Sequence, residues 1–440
     1  MFGTSGVRGI VNEEVSCALA MKIGNAAGAM GKKIIVGRDC RTSGQMLAFS
    51  FMAGAMHAGA DVIDIGIVPT PALSFACMKE KCIGAMVTAS HNPPEYNGIK
   101  LFFEGREFPR EWEKGIEGKV KAGIAGVEWN KAGQAGKMEV LSTYSKFLLS
   151  KVAVDGIRER KPKVVVDCGN AAASGFMPKL LRDAGCEVVE LFCEPSGMPG
   201  RGLEPNEENL KELCKIVKEK KADIGIAHDG DADRAIIVDE NGKLLGLDAQ
   251  LGVIVKYMLE KKKGKIISTV ESSLSLREIV QQNGSTLEIT PVGSLHVAQL
   301  VGEKNAVFGG EPCGEYVFSD GLPCPDGPLA ALYFLQILCE KGKLSALAAQ
   351  VKSYPIARKK FACENKEKAR ALEKIKAGLH KISGKKSGMD GLRIDFEDGW
   401  LLVRPSGTEP IMRLTCECKT QKRLEEVCKA AQDAIEKAVA

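Results

Sequence analysis

Short apolar runs alternate with longer amphipathic stretches along most of the chain. The runs at 33–36, 62–65, 83–88, 164–167, 187–191, 224–227, 235–238 and 266–270 read as strands. The stretches 45–57, 177–184, 210–220, 249–261 and 330–341 carry apolar residues at helical spacing and read as helices. Such alternation predicts α/β layers, with helices covering parallel or mixed sheets. Near Asn365 the texture changes. A charged helix at 365–381 leads into strand-like runs at 392–396 and 401–404 around an Asp398-Gly399 turn. A third strand at 412–417 and a helix at 422–438 complete a separate, smaller α+β domain. The Gly-rich stretch 115–136 reads as surface near the end of a first domain, and Tyr144 opens the next helix. Turns at Glu240-Asn241-Gly242 and Tyr354-Pro355 read as the ends of a second and a third domain.

Composition narrows the classes. At about 150 residues per domain, 440 residues suggest roughly three domains. With 45% hydrophobic and 27% charged residues, the chain is globular in composition. Lys plus Arg is 61 and Asp plus Glu is 56, so the net charge is only +5. That excludes a polycationic nucleic-acid wrapper and leaves room for a local anion site. The basic clusters at 261–263 and 358–360 read as solvated helix ends or turns, because no aromatics interleave them. Fifteen cysteines occur without one C-x-x-C; the nearest pair is Cys416 and Cys418. A zinc ribbon is thereby excluded, and reduced thiols in a cytoplasmic setting are expected. The first residues lack signal-peptide features, and no apolar run reaches the roughly 18 residues of a membrane span. Glycine is in surplus, 48 residues against about 31 expected at average usage, and many of these sit in short motifs.

The motif Asp229-Gly230-Asp231-Ala232-Asp233-Arg234 lies between two apolar runs. Carboxylates at alternate positions converge, and they would repel one another without a cation. Three oxygen donors suit a hard divalent ion, Mg²⁺ or Ca²⁺, and Arg234 adds an anion-binding fork. A calcium loop would place Glu240 as its last ligand, but Arg234 stands where that loop requires glycine. Thr88-Ala89-Ser90-His91-Asn92-Pro93-Pro94 forms a tight turn after the run at 83–88. Ser90 is a candidate nucleophile or phosphoryl carrier, with His91 and Lys100 nearby; a capped turn is the plainer alternative. Arg404-Pro405-Ser406-Gly407-Thr408-Glu409-Pro410 combines a cationic fork, two hydroxyls and open backbone, which suits phosphate. An ordinary turn has the same composition. In Gly309-Gly310-Glu311-Pro312-Cys313-Gly314-Glu315 a carboxylate fixed between glycines could accept from sugar hydroxyls or an amino group, or the segment is a structural loop. Arg8, Arg38 and Arg41 are further anion-binding candidates, although Arg38 with Asp39 reads better as a structural ion pair. No G-x4-G-K-S/T, dinucleotide fingerprint or H-E-x-x-H is present.

Together the segments 88–93, 229–234, 310–314 and 404–410, in that order, with the opening Gly3-Thr4-Ser5-Gly6-Val7-Arg8-Gly9, resemble the α-D-phosphohexomutase family. The resemblance spans nearly the whole chain. It implies an α/β fold of four domains around a central cleft: three similar mixed-sheet units at 1–142, 143–242 and 243–355, then a smaller α+β domain at 356–440. It implies that Ser90 is the phosphoserine of the active enzyme. Mg²⁺ would be held by Asp229, Asp231 and Asp233 with a Ser90 phosphate oxygen. Arg8, Lys100 and His91 would serve the transferring group, with the choice of general acid/base between Lys100 and His91 open. Arg234, Glu311 and Cys313 would contact substrate, and Arg404, Ser406, Gly407 and Thr408 would clamp its non-reacting phosphate. The implied partner is a hexose or hexosamine phosphate and its bisphosphate intermediate, with no nucleic acid and no membrane. The family's sugar loop usually has Ser where this chain has Cys313, and several members have His where it has Glu315. An extra carboxylate there would favour an amino sugar. Pro291-Val292-Gly293-Ser294 also resembles the version found in members acting on glucosamine phosphate. The expected reaction interconverts glucosamine 6-phosphate and glucosamine 1-phosphate. Glucose or mannose phosphate, or a non-catalytic sugar-phosphate sensor, are the alternatives.

Overall fold

The computed structural model describes every residue except 1, 3–5, 124, 381, 407–409 and 440. The chain divides into two compact units, Met1–Gln250 with Cys313–Ala348, and Leu251–Pro312 with Ala349–Ala440.

The first unit contains a mixed sheet with the order Val7–Ile10, Tyr96–Phe103, Ile83–Val87, Lys33–Arg38, Asp61–Ile67 and Ala135–Lys137. Ile83–Val87 is buried along its whole length, as an uninterrupted apolar run requires. It pairs parallel with Lys33–Arg38 and antiparallel with Tyr96–Phe103. Helices Cys17–Gly28, Gly44–His57 and Thr70–Glu80 supply buried faces for this core. The Gly-rich stretch is largely exposed, but it begins inside the helix Arg110–Ala122 and ends in the short strand Ala135–Lys137. A second sheet has the order Ile236–Val238, Ile224–Ala227, Lys163–Asp167 and Glu187–Leu191. Its last three strands are parallel. In both sheets the chemistry-bearing loops leave the carboxyl ends of parallel strands: Thr88 onward after Val87, and His228 onward after Ala227.

In the second unit Ile266–Thr269 pairs parallel with Leu287–Thr290 and Phe308–Gly310. A five-stranded antiparallel sheet follows, with the order Ile356–Ala362, Ile411–Cys418, Gly399–Pro405, Leu392–Phe396 and Lys385–Ser387, covered by helices Lys368–Gly378 and Gln421–Val439. The two layers share a buried polar network. Glu417 accepts from Trp400 Nε1 at 2.6 Å and from the Leu274 amide at 2.7 Å. The Arg393 guanidinium stacks 4.2 Å from the Trp400 ring and pairs with Asp395. One expectation is corrected. Residues 358–360 lie inside the strand Ile356–Ala362, not at a helix end or turn. The strand pairs on one side only, and exposed Arg358, Lys359 and Lys360 line it. Charge on an edge strand discourages pairing with other chains, so here basic residues mark an edge.

Helix Gly327–Lys341 begins at a buried acid. Asp326 Oδ1 accepts from the Leu329 amide at 2.9 Å and from Tyr144 Oη at 2.7 Å, while Oδ2 is buried with no partner among the described residues. Burial pushes the Asp326 carboxyl up to about 7 from its ordinary 3.8. Between those values the folded protein holds a proton that the unfolded chain has released, so stability falls as pH rises across the window. Asp326→Asn keeps the cap acceptor and removes the titration. We expect the wild type to lose a few kcal/mol on going from about pH 4 to about pH 7, at roughly 1.4 kcal/mol for each step of one in pH. The variant should lose less by about that contribution, since the other raised acids, Asp229 and Asp233, titrate in both proteins. Urea denaturation at both pH values checks this, and equal losses in the two proteins would refute it.

Candidate active site

Ser90 stands in the left-handed backbone region, with φ 49°. A serine there is uncommon, so its neighbours must hold it. Its amide donates to Thr88 Oγ1 at 2.9 Å. Its hydroxyl donates to Asp229 Oδ2 at 2.7 Å and lies 3.3 Å from His91 Nδ1. The main support is Arg41. Its guanidinium donates to the carbonyls of Ser90, Asn92, Pro93 and Tyr96 at 2.6–2.9 Å, and Nε pairs with Asp39 at 3.0 Å. Asp39 also accepts from Thr88 Oγ1 at 2.6 Å. This corrects two expectations. Arg41 is buried and binds the serine turn rather than an external anion, and the partner of the Asp39 carboxylate is Arg41 rather than Arg38. Arg38 Nη1 reaches only the Asp39 carbonyl, at 3.4 Å.

The serine turn and the acidic loop touch through Gly230. A Cβ there would lie 2.1 Å from the Ser90 carbonyl oxygen, so only glycine permits the approach. The N-terminus of helix Gly327–Lys341 also packs closely, since a Cβ on Gly327 would lie 2.5 Å from the Arg234 carbonyl oxygen and 2.7 Å from that of Ala232. Asp229, Asp231 and Asp233 are all buried, and each offers an oxygen within 4.8 Å of the others. Burial and then the neighbouring Asp233 and Asp231 push Asp229 well up. Burial and then Asp231 push Asp233 up to about 7. Burial would raise Asp231 too, but Lys100 at 2.8 Å and Thr70 Oγ1 at 2.7 Å outweigh it and hold this acid below the usual range. Lys100 lies 3.2 Å from Asp233 as well; burial favours its neutral form, and Asp231 and Asp233 overcome that to keep it an ammonium. Asp231 Oδ1 and Asp233 Oδ1 are buried without a protein partner among the described residues. Converging, under-satisfied carboxylate oxygens are what a hard divalent cation takes, so the residues fit a metal such as Mg²⁺.

Arg234 is held between two acids. Its Nε pairs with Glu315 at 3.0 Å, and its Nη1 lies 3.3 Å from Glu204. A backbone bridge between residues 234 and 315 sets the first contact. Glu315 is therefore neutralised by Arg234, and its charge does not argue for an amino sugar. Glu204 also lies 3.7 Å from His91 Nε2, and its side chain is 46% exposed. Burial, then Arg234 and Arg8, bring the imidazole of His91 down to about 3. Arg8, half-buried on the strand Val7–Ile10, has its Nε buried without a partner among the described residues. Cys313 is a half-buried thiol in this unit, outside any disulfide.

In the second unit, buried Glu311 lies within 3.3 Å of the Gly293 amide. Arg404 pairs with Glu271 at 3.4 Å and Asp390 at 3.3 Å. Buried Ser406 donates its amide to the Ile411 carbonyl, and its own carbonyl accepts from Lys368 Nζ at 2.5 Å. Gly407 and Thr408 lie outside the described residues. Thr70 and Glu204 serve the site without any local sequence signal, because each reaches it from a distant segment; Arg41 is legible as a cation, but not as the support of the serine turn.

Four families match in sequence. They are described as phosphoglucomutase/phosphomannomutase alpha/beta/alpha domain I at residues 1–125, domain II at 142–242, domain III at 247–354 and the C-terminal domain at 359–434. A probable phosphoglucosamine mutase of Methanopyrus kandleri is 40% identical, over 100% of this chain and 98% of its own. A phosphoglucomutase/phosphomannomutase of Thermococcus kodakarensis is 39% identical, over 100% and 99%. The crystal structure of a phosphoglucomutase/phosphomannomutase family protein from Burkholderia thailandensis superposes with TM-score 0.89 at 28% identity, covering 99% of this chain and 97% of that one.

Two outcomes are expected from this geometry. Arg41→Met strands the buried Asp39 carboxylate and frees the serine turn, which should cost about 3–5 kcal/mol in urea denaturation; a loss below about 1 kcal/mol would contradict the role. Glu204 occupies the Arg234 fork that an external anion would use. Glu204→Gln should therefore tighten inorganic phosphate binding, measured calorimetrically, by up to about fivefold, the worth of one exposed ion pair. Weaker binding would contradict it.

Proposed function

We propose that the chain, which belongs to the phosphoglucomutase/phosphomannomutase family, interconverts glucosamine 6-phosphate and glucosamine 1-phosphate through a phosphoserine at Ser90. The observation that carries the reading is the Ser90 hydroxyl, held 2.7 Å from one of three clustered aspartates in a turn whose carbonyls Arg41 ties down. Full-length similarity to a protein named as a probable phosphoglucosamine mutase supports the choice of sugar.

In this reading phosphoserine meets a bound sugar monophosphate. The Oγ–P bond breaks, a P–O bond forms to the free sugar hydroxyl, and the proton of that hydroxyl is passed to the leaving Ser90 Oγ. The bisphosphate turns over in place. Its other phosphoryl group then passes to Ser90 Oγ as the sugar O–P bond breaks, and the serine proton goes to the sugar oxygen left behind, so phosphate has moved between C1 and C6. Transfers of this kind rest on positioning and charge neutralisation. Mg²⁺ held by Asp229, Asp231 and Asp233 with a Ser90 phosphate oxygen would neutralise the transferring group. Arg8 and Lys100 add fixed positive charge, and Arg234 exchanges Glu204 for a phosphate. A phosphoryl group on Ser90 brings negative charge against His91 and raises its proton affinity. His91, 3.3 Å from the Ser90 hydroxyl, and Lys100, beside Asp231 and Asp233, are the two groups that can pass the proton. Glu311 and Cys313 contact the sugar, and Arg404, Ser406, Gly407 and Thr408 hold the phosphate that is not reacting.

A second sugar reading has an observation behind it. The Thermococcus kodakarensis relative, at 39% identity, is named for glucose and mannose phosphates, and Glu315 is neutralised by Arg234. An assay with glucosamine, glucose and mannose 1-phosphates, each with Mg²⁺, separates the two. Glucosamine 1-phosphate should give the highest kcat/KM; if it is the poorest, the sugar assignment fails. Ser90→Ala should abolish turnover of all three, because the covalent intermediate cannot form. Retained turnover would refute the phosphoserine route.

A further inference from the structure

We propose that Cys168 and Cys193 are an oxidisable dithiol, and that closing them into a disulfide loosens the acidic loop. Cys193 Sγ lies 3.4 Å from Cys168 Sγ. Other thiols also lie together, Cys77 with Cys82 and Cys416 with Cys428, but both members of each are buried. Cys193 is half-buried, so an oxidant reaches it.

The backbone brings the two sulfurs together. Cys168 follows the strand Lys163–Asp167, and Cys193 follows its parallel neighbour Glu187–Leu191. The Cys168 amide donates to the Leu191 carbonyl at 3.2 Å, and the Asn170 amide to the Phe192 carbonyl at 2.6 Å. Phe192 takes a left-handed conformation, φ 49°, which turns the chain so that the Cys193 thiol faces back over Cys168. With hydrogen peroxide as oxidant, Cys193 sulfur attacks one oxygen. The O–O bond breaks, and a sulfenic acid and one water result. Cys168 sulfur then displaces the sulfenic oxygen, which leaves with the thiol proton as a second water. Two thiols are oxidised, and one peroxide is reduced to two waters.

The same turn supports the acidic loop on both sides of Asp229. The Ala172 amide donates to the Gly230 carbonyl at 3.2 Å. Asp167, next to Cys168, pairs with Arg201 at 2.8 Å, and Arg201 Nη2 donates to the His228 carbonyl at 2.7 Å. A disulfide is about 2.05 Å long, so closure draws the sulfurs together by about 1.3 Å. That movement acts on residues 167–172, which hold His228 and Gly230.

The test compares untreated and peroxide-treated protein by peptide mapping, and measures Mn²⁺ affinity by electron paramagnetic resonance. A peptide linking Cys168 to Cys193 should appear and vanish with dithiothreitol. Mn²⁺ should bind about tenfold more weakly to the oxidised protein, the lower end of the loss when support of a ligand is removed. Cys193→Ser, treated identically, should keep its affinity. Absence of the linked peptide, unchanged Mn²⁺ affinity in its presence, or equal loss in Cys193→Ser would each overturn the proposal. The coupling rests on the reading that the acidic loop holds a divalent ion. Untreated protein that binds no Mn²⁺ fails that reading and the coupling with it, while the peptide map still decides the disulfide.

Discussion

Three carboxylates packed into one buried loop are the constraint on which the site depends. Desolvation and mutual repulsion oppose their ionisation together, and the structure answers unequally at each. Asp231 keeps its charge because Lys100 and Thr70 face it, whereas Asp229 and Asp233 are pushed toward the neutral form. The loop is thereby loaded for a divalent cation, which would relieve the repulsion that the protein leaves partly unanswered. The surroundings follow from holding it. Gly230 is required because the serine turn crosses at a distance no side chain allows. Arg41 is required because a serine in the left-handed region needs its own carbonyl and those after it tied down.

Around this centre the anion-binding groups are arranged in layers of different rigidity. Lys100 is buried and fixed on two aspartates. Arg234 is fixed at Nε by Glu315, but on its Nη1 side it meets the half-exposed Glu204. The first partner orients the guanidinium, and the second is the half-exposed carboxylate that a phosphate would replace under the proposed function. Screening by solvent keeps that second contact weak, so it can yield to a doubly charged ligand.

Much of this was legible in the chain. Asp229, Asp231 and Asp233 lie two apart between apolar runs, and Ser90 follows a strand and precedes two prolines. Local spacing suffices to mark such groups. The α/β alternation and the change of texture after residue 355 were legible for the same reason. Partners that arrive from distant segments were not. Arg41 looked like a free cation in a polar turn, and only the fold shows it buried under the serine loop, 49 residues away from Ser90. Glu315 looked like a carboxylate available to the sugar, until a backbone bridge placed it against Arg234. The basic residues 358–360 looked solvated, which they are, but they line an edge strand.

The central claim is that Ser90 carries the group that moves. Its most direct test is a single-turnover transfer. Protein phosphorylated at Ser90 with a radiolabelled phosphoryl group is mixed with excess unlabelled sugar 1-phosphate and Mg²⁺, then quenched over milliseconds to seconds. The account predicts that label leaves the serine and appears first in sugar bisphosphate, then in sugar 6-phosphate. Label that stays on Ser90 while sugar 6-phosphate accumulates would contradict it.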